Sequence, residues 1–213
     1  SKMTRNFAAP TKTALLALAF AYASLLLAAP SAQASVEIGK PAPAFTLQGA
    51  DGKEVSLESQ RGKFVVLEWL NHGCPYVRKH YDSDNMQSLQ RKFTGKGVVW
   101  LSIISSAPGK QGHSTPEQAL ADVAAKNAKP TAVLLDESGT VGRLYGASTT
   151  PHMFVIDPTG ALVYMGAIDD QPSFAAESLS GAKNFVQQAL DDAMDSKTVS
   201  TPATKPYGCS VKY

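Results

Sequence analysis

Lys63-Phe64-Val65-Val66-Leu67-Glu68-Trp69-Leu70-Asn71-His72-Gly73-Cys74-Pro75-Tyr76-Val77 is the stretch on which the fold turns. Phe64 to Leu70 is rich in β-branched and aromatic residues and predicts a central strand. Pro75 suits the first position of a helix, where its missing N–H is not needed, so Cys74 caps or adjoins a helix N-terminus. The partial positive charge there favours a thiolate, the attacking form of a cysteine. Arg78 and Lys79, one turn on, add positive potential or remain solvated surface charges.

Working outward, helix continues to Gly95 with a break near Asp82 and Ser83; Met86, Leu89, Gln90 and Phe93 are spaced for one buried face. A buried strand from Val98 to Ile104 follows. Pro116-Glu117 opens an Ala-rich helix to Asn127, with Leu120, Val123 and Ala124 expected inward. Ala132 to Leu135 reads as a short strand and Thr140 to Tyr145 as a helix. Thr149-Thr150-Pro151 leads into a hairpin, His152 to Ile156 and Leu162 to Ala167, around Asp157-Pro158-Thr159-Gly160. A last helix is expected from Gly181 to Asp195, with Phe185, Val186, Ala189, Leu190 and Met194 on one side. Upstream, Phe45-Thr46-Leu47 and Val55-Ser56-Leu57 flank Asp51-Gly52 as a short ribbon.

The 213 residues are 44% hydrophobic and 18% charged, with two cysteines and a formal charge of +2. That excludes a disordered tail, a disulfide-stapled miniprotein and a strongly basic nucleic-acid binder. The basic excess is local: Lys2, Arg5 and Lys12 precede an apolar run from Ala14 to Ala29, then Pro30 and Ser31-Ala32-Gln33-Ala34. This reads as a secretory signal over residues 1–34, cleaved after Ala34, with an uncleaved anchor as the competing reading. Ser1 and Lys2 precede an initiator candidate, Met3. Residues 35–196 then form one domain and 197–213 a tail. The expected location is extracytoplasmic, the bacterial periplasm or outside the cell, with membrane contact only through an uncleaved segment. No phosphate-cradling glycine loop, serine triad context or basic groove is present.

Three features, KFVVLEWLNHGCPYV (63–77), TTPHMFVIDPTGALVYMG (149–166) and IGKPAPAFTLQGADGKEVSL (38–57), resemble the thioredoxin-like superfamily. The likeness is to the branch holding the alkyl hydroperoxide reductase/thiol-specific antioxidant (redoxin) family and the TlpA-like extracytoplasmic thiol reductases. It covers Val36 to Ala193. It implies an α/β fold, a central mixed sheet flanked by helices with an N-terminal β-hairpin extension. It also implies a cis Pro151 packed beside Cys74, with the Thr150 backbone free to pair with an extended substrate, and His152 brought near the thiol as an acid/base candidate. Glu68 would be either a buried carboxylate that moves protons or a solvent-facing strand end.

The chain departs from that pattern. The family's thioredoxin motif has a second cysteine three residues after the first; Val77 stands there. The peroxiredoxin activating threonine and arginine are replaced by Asn71 and Pro151 in their approximate places, with Arg143 the nearby basic residue. Cys209 is therefore the sole intrachain partner for Cys74, either as a resolving thiol or as a tail staple or free thiol. The expected function is a thiol oxidoreductase, without a cofactor, acting on a protein or small-molecule thiol/disulfide with an external electron donor. One alternative is a peroxide-reducing thiol peroxidase with Cys209 resolving. Another is a non-catalytic protein-binding or copper-binding module, with Cys74, His72 and His152 as the metal set. His80 and His113 read as exposed.

Overall fold

A computed structural model describes residues 36–213, so the expected signal segment lies outside the described residues. The elements follow in order: β1 (Thr46–Gly49), β2 (Glu54–Ser56), β3 (Val65–Trp69), α1 (Pro75–Asp82), α2 (Asn85–Thr94), β4 (Val99–Ile104) and α3 (Pro116–Ala125). Then come β5 (Ala132–Leu135), α4 (Thr140–Tyr145), β6 (Thr149–Thr150), β7 (His152–Ile156), β8 (Leu162–Gly166), α5 (Phe185–Met194) and β9 (Cys209–Ser210). Seven strands form one mixed sheet in the order β2-β1-β5-β4-β3-β7-β8. The strand predicted from Phe64 to Leu70 is its β3, parallel to β4 and antiparallel to β7. The ribbon β1–β2 extends the sheet through β5.

Side-chain alternation along the strands separates two apolar layers. Val66 and Leu70 of the β3 region, with Met153 and Val155 of β7, join Cys74 and residues of α1, α2 and α5 on one face. Val65, Leu67 and Trp69, with Phe154 and Ile156, face α4 and the ribbon on the other. No helix among the described residues is long and apolar enough to cross a membrane.

One sequence expectation holds and two shift. The break near Asp82 is real: α1 ends at Asp82, and Asp84 in a left-handed conformation precedes α2. In α3 Val123 packs against the core as expected, together with Ala119 one turn earlier, whereas Leu120 is 46% exposed and Ala124 is exposed; the capping box of Thr115 and Gln118 closes its N-terminus. The last helix begins at Phe185 rather than Gly181, because the Asn184 side chain accepts from the Gln187 N–H and so caps it there.

Candidate redox site

The turn between β3 and α1 is held by its own backbone and by the loop before α3. Gly73 N–H donates to Asn71 Oδ1 at 2.8 Å and Cys74 N–H to Asn71 O at 3.0 Å. The Asn71 amide reaches Gln111 O, and Gln111 Nε2 returns to Gly73 O. Gly112, at φ +86°, lets that loop pass close to Asn71, where a Cβ would collide with the amide. Cys74 is thereby fixed at the N-cap of α1 with no exposed surface.

The Thr150–Pro151 bond is cis, as the family resemblance implies, and the Thr150 carbonyl lies 3.2 Å from Cys74 Sγ. The Thr150 backbone is not free, however. The chain's own tail pairs with it: β9 runs antiparallel to β6 with Thr150 opposite Cys209. That register sets Cys209 Sγ 2.7 Å from Cys74 Sγ, two free thiols brought together across 135 positions of chain. Gly208, at φ +142°, makes the approach possible, since any Cβ there would run into the Thr150 carbonyl oxygen.

The two thiols differ electrostatically. Burial pushes the Cys74 thiol up, but the hydrogen bond with Cys209, the otherwise unpartnered Thr150 hydroxyl and the backbone amides of Val77 and Cys209 outweigh it and leave it below its ordinary value. Cys209 is pushed up to about 11 by its burial and by the charge and hydrogen bond of Cys74. Of the two sulfurs, Cys74 is therefore the one whose surroundings favour the thiolate.

The tail is tied down on both sides of Cys209. Upstream, Thr204 N–H donates to Met165 O, and the Tyr207 hydroxyl donates to Asp169 Oδ1. Lys79 Nζ donates to that hydroxyl at 3.2 Å, to Gln171 O at 3.0 Å and to Ser178 Oγ at 3.3 Å. Downstream, Val211 N–H donates to Ser148 O, Ala107 N–H to Lys212 O, and the Tyr213 hydroxyl to Ala147 O.

Several predicted residues are placed elsewhere. His152 is buried on the opposite face of the sheet from Cys74, stacked on Phe154 with ring centroids 4.6 Å apart. A residue directly after Pro151 starts β7, and the two-residue alternation turns His152 away from the thiol while Met153 faces it. Its Nδ1 accepts from Ser148 N–H, and burial lowers its pKa to about 4, so the ring is neutral. His72 packs edge-on against Tyr81, and among the described residues no three His, Cys, Asp or Glu side chains form a metal-holding group. The copper set of Cys74, His72 and His152 is not assembled. Arg143 donates to Ser138 O and lies over the Tyr213 ring, occupied by the tail terminus.

Arg78 is exposed, whereas Lys79 and His80 are buried, against the expectation of an exposed His80 and the surface-charge alternative for Lys79. Both belong to the tail anchor: His80 Nδ1 meets the Asn85 amide, and its Nε2 faces Tyr207 Oη at 3.5 Å. Glu68 is wholly buried on the Cys74 face, accepting from Tyr81, Trp100, Ser102 and Gln90. Burial raises its pKa against the pull of those donors, but none of its hydrogen bonds reaches Cys74. Sequence reasoning missed the Lys79–Asp169–Tyr207 anchor and the pairing of β9. A two-residue strand has no periodicity to detect; the one local signal was glycine before Cys209.

A cysteine at the first helix N-terminus, a cis proline at the start of the antiparallel hairpin and the mixed sheet between helices define a thioredoxin-like fold. The AhpC/TSA family matches residues 38–165, and the chain belongs to that family. Among curated proteins, the thiol-disulfide oxidoreductase ResA of Bacillus cereus is 27% identical over 138 residues, 62% of this chain and 71% of the relative. An uncharacterized conserved protein from Geobacillus kaustophilus superposes with TM-score 0.70 at 26% identity, covering 84% of this chain and 93% of that one. A putative thiol:disulfide interchange protein DsbE from Chlorobium tepidum gives TM-score 0.50 at 27% identity, covering 62% and 85%.

Proposed function

We propose that this chain is a thiol-disulfide oxidoreductase whose redox couple is Cys74 and Cys209, the tail thiol standing in for the second cysteine of a local dithiol motif. The observation that carries the reading is the 2.7 Å approach of the two sulfurs under the β6–β9 pairing. Similarity to ResA supports the class of chemistry. The basic-apolar-small pattern of residues 1–34 supports work outside the cytoplasm, where such a couple can cycle with disulfides.

In the reducing direction β9 parts from β6 and uncovers Cys74, whose thiolate attacks a substrate disulfide, forming a mixed disulfide and releasing one substrate thiolate. Cys209, on losing its proton, attacks the Cys74 sulfur, expels the second substrate thiolate and leaves the Cys74–Cys209 disulfide. An external thiol pair restores the dithiol. Two of the three influences that hold the Cys209 thiol high arise from Cys74, and both vanish once Cys74 is bonded to substrate. Resolution is thereby favoured after capture and suppressed before it.

A small disulfide such as oxidised glutathione tests the roles. Cys74→Ser is expected to abolish exchange, and Cys209→Ser to stop after one step with a lasting adduct on Cys74. Turnover that survives Cys74→Ser would overturn the assignment.

A further inference from the structure

The two sulfurs are unequally reachable. Cys74 has no exposed surface, closed off by the core and by the tail that lies across it. Cys209 sits on a two-residue edge strand and is partly exposed. Joining the sulfurs takes a shift of well under 1 Å, from 2.7 Å to a disulfide length of about 2.05 Å, so the same inequality holds in the oxidised chain.

We propose that Cys209 is the entry sulfur of the oxidised enzyme: an incoming thiolate attacks the tail cysteine and the buried Cys74 departs as the leaving thiolate. This inverts the roles the two residues play when the reduced enzyme meets a disulfide, and it rests on the Cys74–Cys209 couple proposed above. The balance is simple. The incoming sulfur bonds to Cys209 Sγ, the Cys74–Cys209 bond breaks, and its electron pair leaves on Cys74. A second thiolate from the same donor then attacks the donor's sulfur on Cys209, forming the oxidised donor and freeing Cys209.

Three features favour this polarity. Access comes first, because displacement at sulfur needs a reachable sulfur, and Cys209 is partly exposed whereas Cys74 has no exposed surface. Leaving-group quality comes second: the sulfur of lower pKa departs faster, and with Cys209 bonded to the donor the Thr150 side chain and the Val77 backbone amide still favour the Cys74 thiolate. Third, Lys212 acts on Cys209 in the direction that favours negative charge at that sulfur, and its ammonium, 2.9 Å from Ser210 Oγ, draws an incoming thiolate. The donor class that fits is an exposed protein thiol or a small anionic thiol.

The test starts from the purified wild-type disulfide, treated with limiting reduced glutathione and quenched with acid within the first turnover. Digestion and mass spectrometry then locate the glutathione. The expected result is an adduct on Cys209 with Cys74 free, in at least about tenfold excess over the reverse, since access and leaving-group quality act together. A predominance of adduct on Cys74 with Cys209 free would overturn the proposal. Failure to isolate any Cys74–Cys209 disulfide would overturn the couple itself, a result distinct from an adduct on the wrong sulfur.

Discussion

The two halves of the redox pair are held by different kinds of structure. Cys74 stands at a junction of β3 and α1 set in the main sheet, closed by backbone hydrogen bonds and surrounded by core side chains. Cys209 is held by a two-residue strand, one glycine contact and a buried polar anchor two residues upstream. The first arrangement is as stable as the domain. The second, a two-residue strand outside the main sheet, is of the kind that opens locally at a free energy below global unfolding. A redox couple needs one fixed sulfur and one that can leave, and the molecule divides the two tasks between core and tail.

The strongest way to break the comparison is Gly208→Ala. A methyl group there collides with the Thr150 carbonyl at a backbone angle that L side chains rarely adopt. Strain and steric conflict of about 3 kcal/mol correspond to a loss of roughly a hundredfold in Cys74–Cys209 closure, measured as the effective concentration of Cys209 in glutathione buffers. The unfolding midpoint of the domain should fall far less, because the core sulfur does not depend on the tail.

Tyr207→Phe acts on the anchor instead. It removes the hydroxyl that bridges Lys79 and Asp169, and loss of one charge-assisted hydrogen bond of about 1.5 kcal/mol lowers the same effective concentration about tenfold. Cys209→Ala sharpens the electrostatic side. Without a side-chain donor at this position the Cys74 pKa rises, so the pH midpoint of its alkylation moves upward from the wild-type value, which lies below an ordinary thiol's.

His152→Gln should have the least effect on exchange, under about twofold, because that ring lies across the sheet from both sulfurs. Its signature lies in acid stability. The folded pKa of His152, about 4, is below the ordinary histidine value of 6.5, so the unfolded chain binds more protons between those values and stability falls as pH drops through them. Chemical denaturation from pH 7 to pH 4 should show a shallower loss in the variant.

Local patterns carried much of this structure. Whereas the cis bond at Thr150-Pro151 was legible only through the family resemblance, Cys74-Pro75 marks a helix start because proline fixes its own backbone angle and needs no N–H there. The hairpin around Asp157-Pro158-Thr159-Gly160 was legible in the same way. What escaped depends on long-range placement. Lys79 looks like a surface lysine until Asp169 and Tyr207 arrive from 90 and more positions away to enclose it. His152 looks like a partner of Cys74 until the register with Trp69 fixes which face of the sheet it occupies. Glu68 was open between burial and solvent, and was settled by the four donors that converge on it. Cys209 was visible as the sole possible intrachain partner, but its register against Thr150 required the tail to be folded.

The central claim is that these two cysteines form one redox unit. Equilibrating the wild-type chain across a series of dithiothreitol potentials and mapping its disulfides by mass spectrometry tests it most directly. The expected outcome is a single two-electron transition in which both thiols disappear together and the only crosslinked peptide joins Cys74 to Cys209. Independent titration of the two thiols, or oxidation of Cys74 while Cys209 stays alkylatable at every potential, would contradict it.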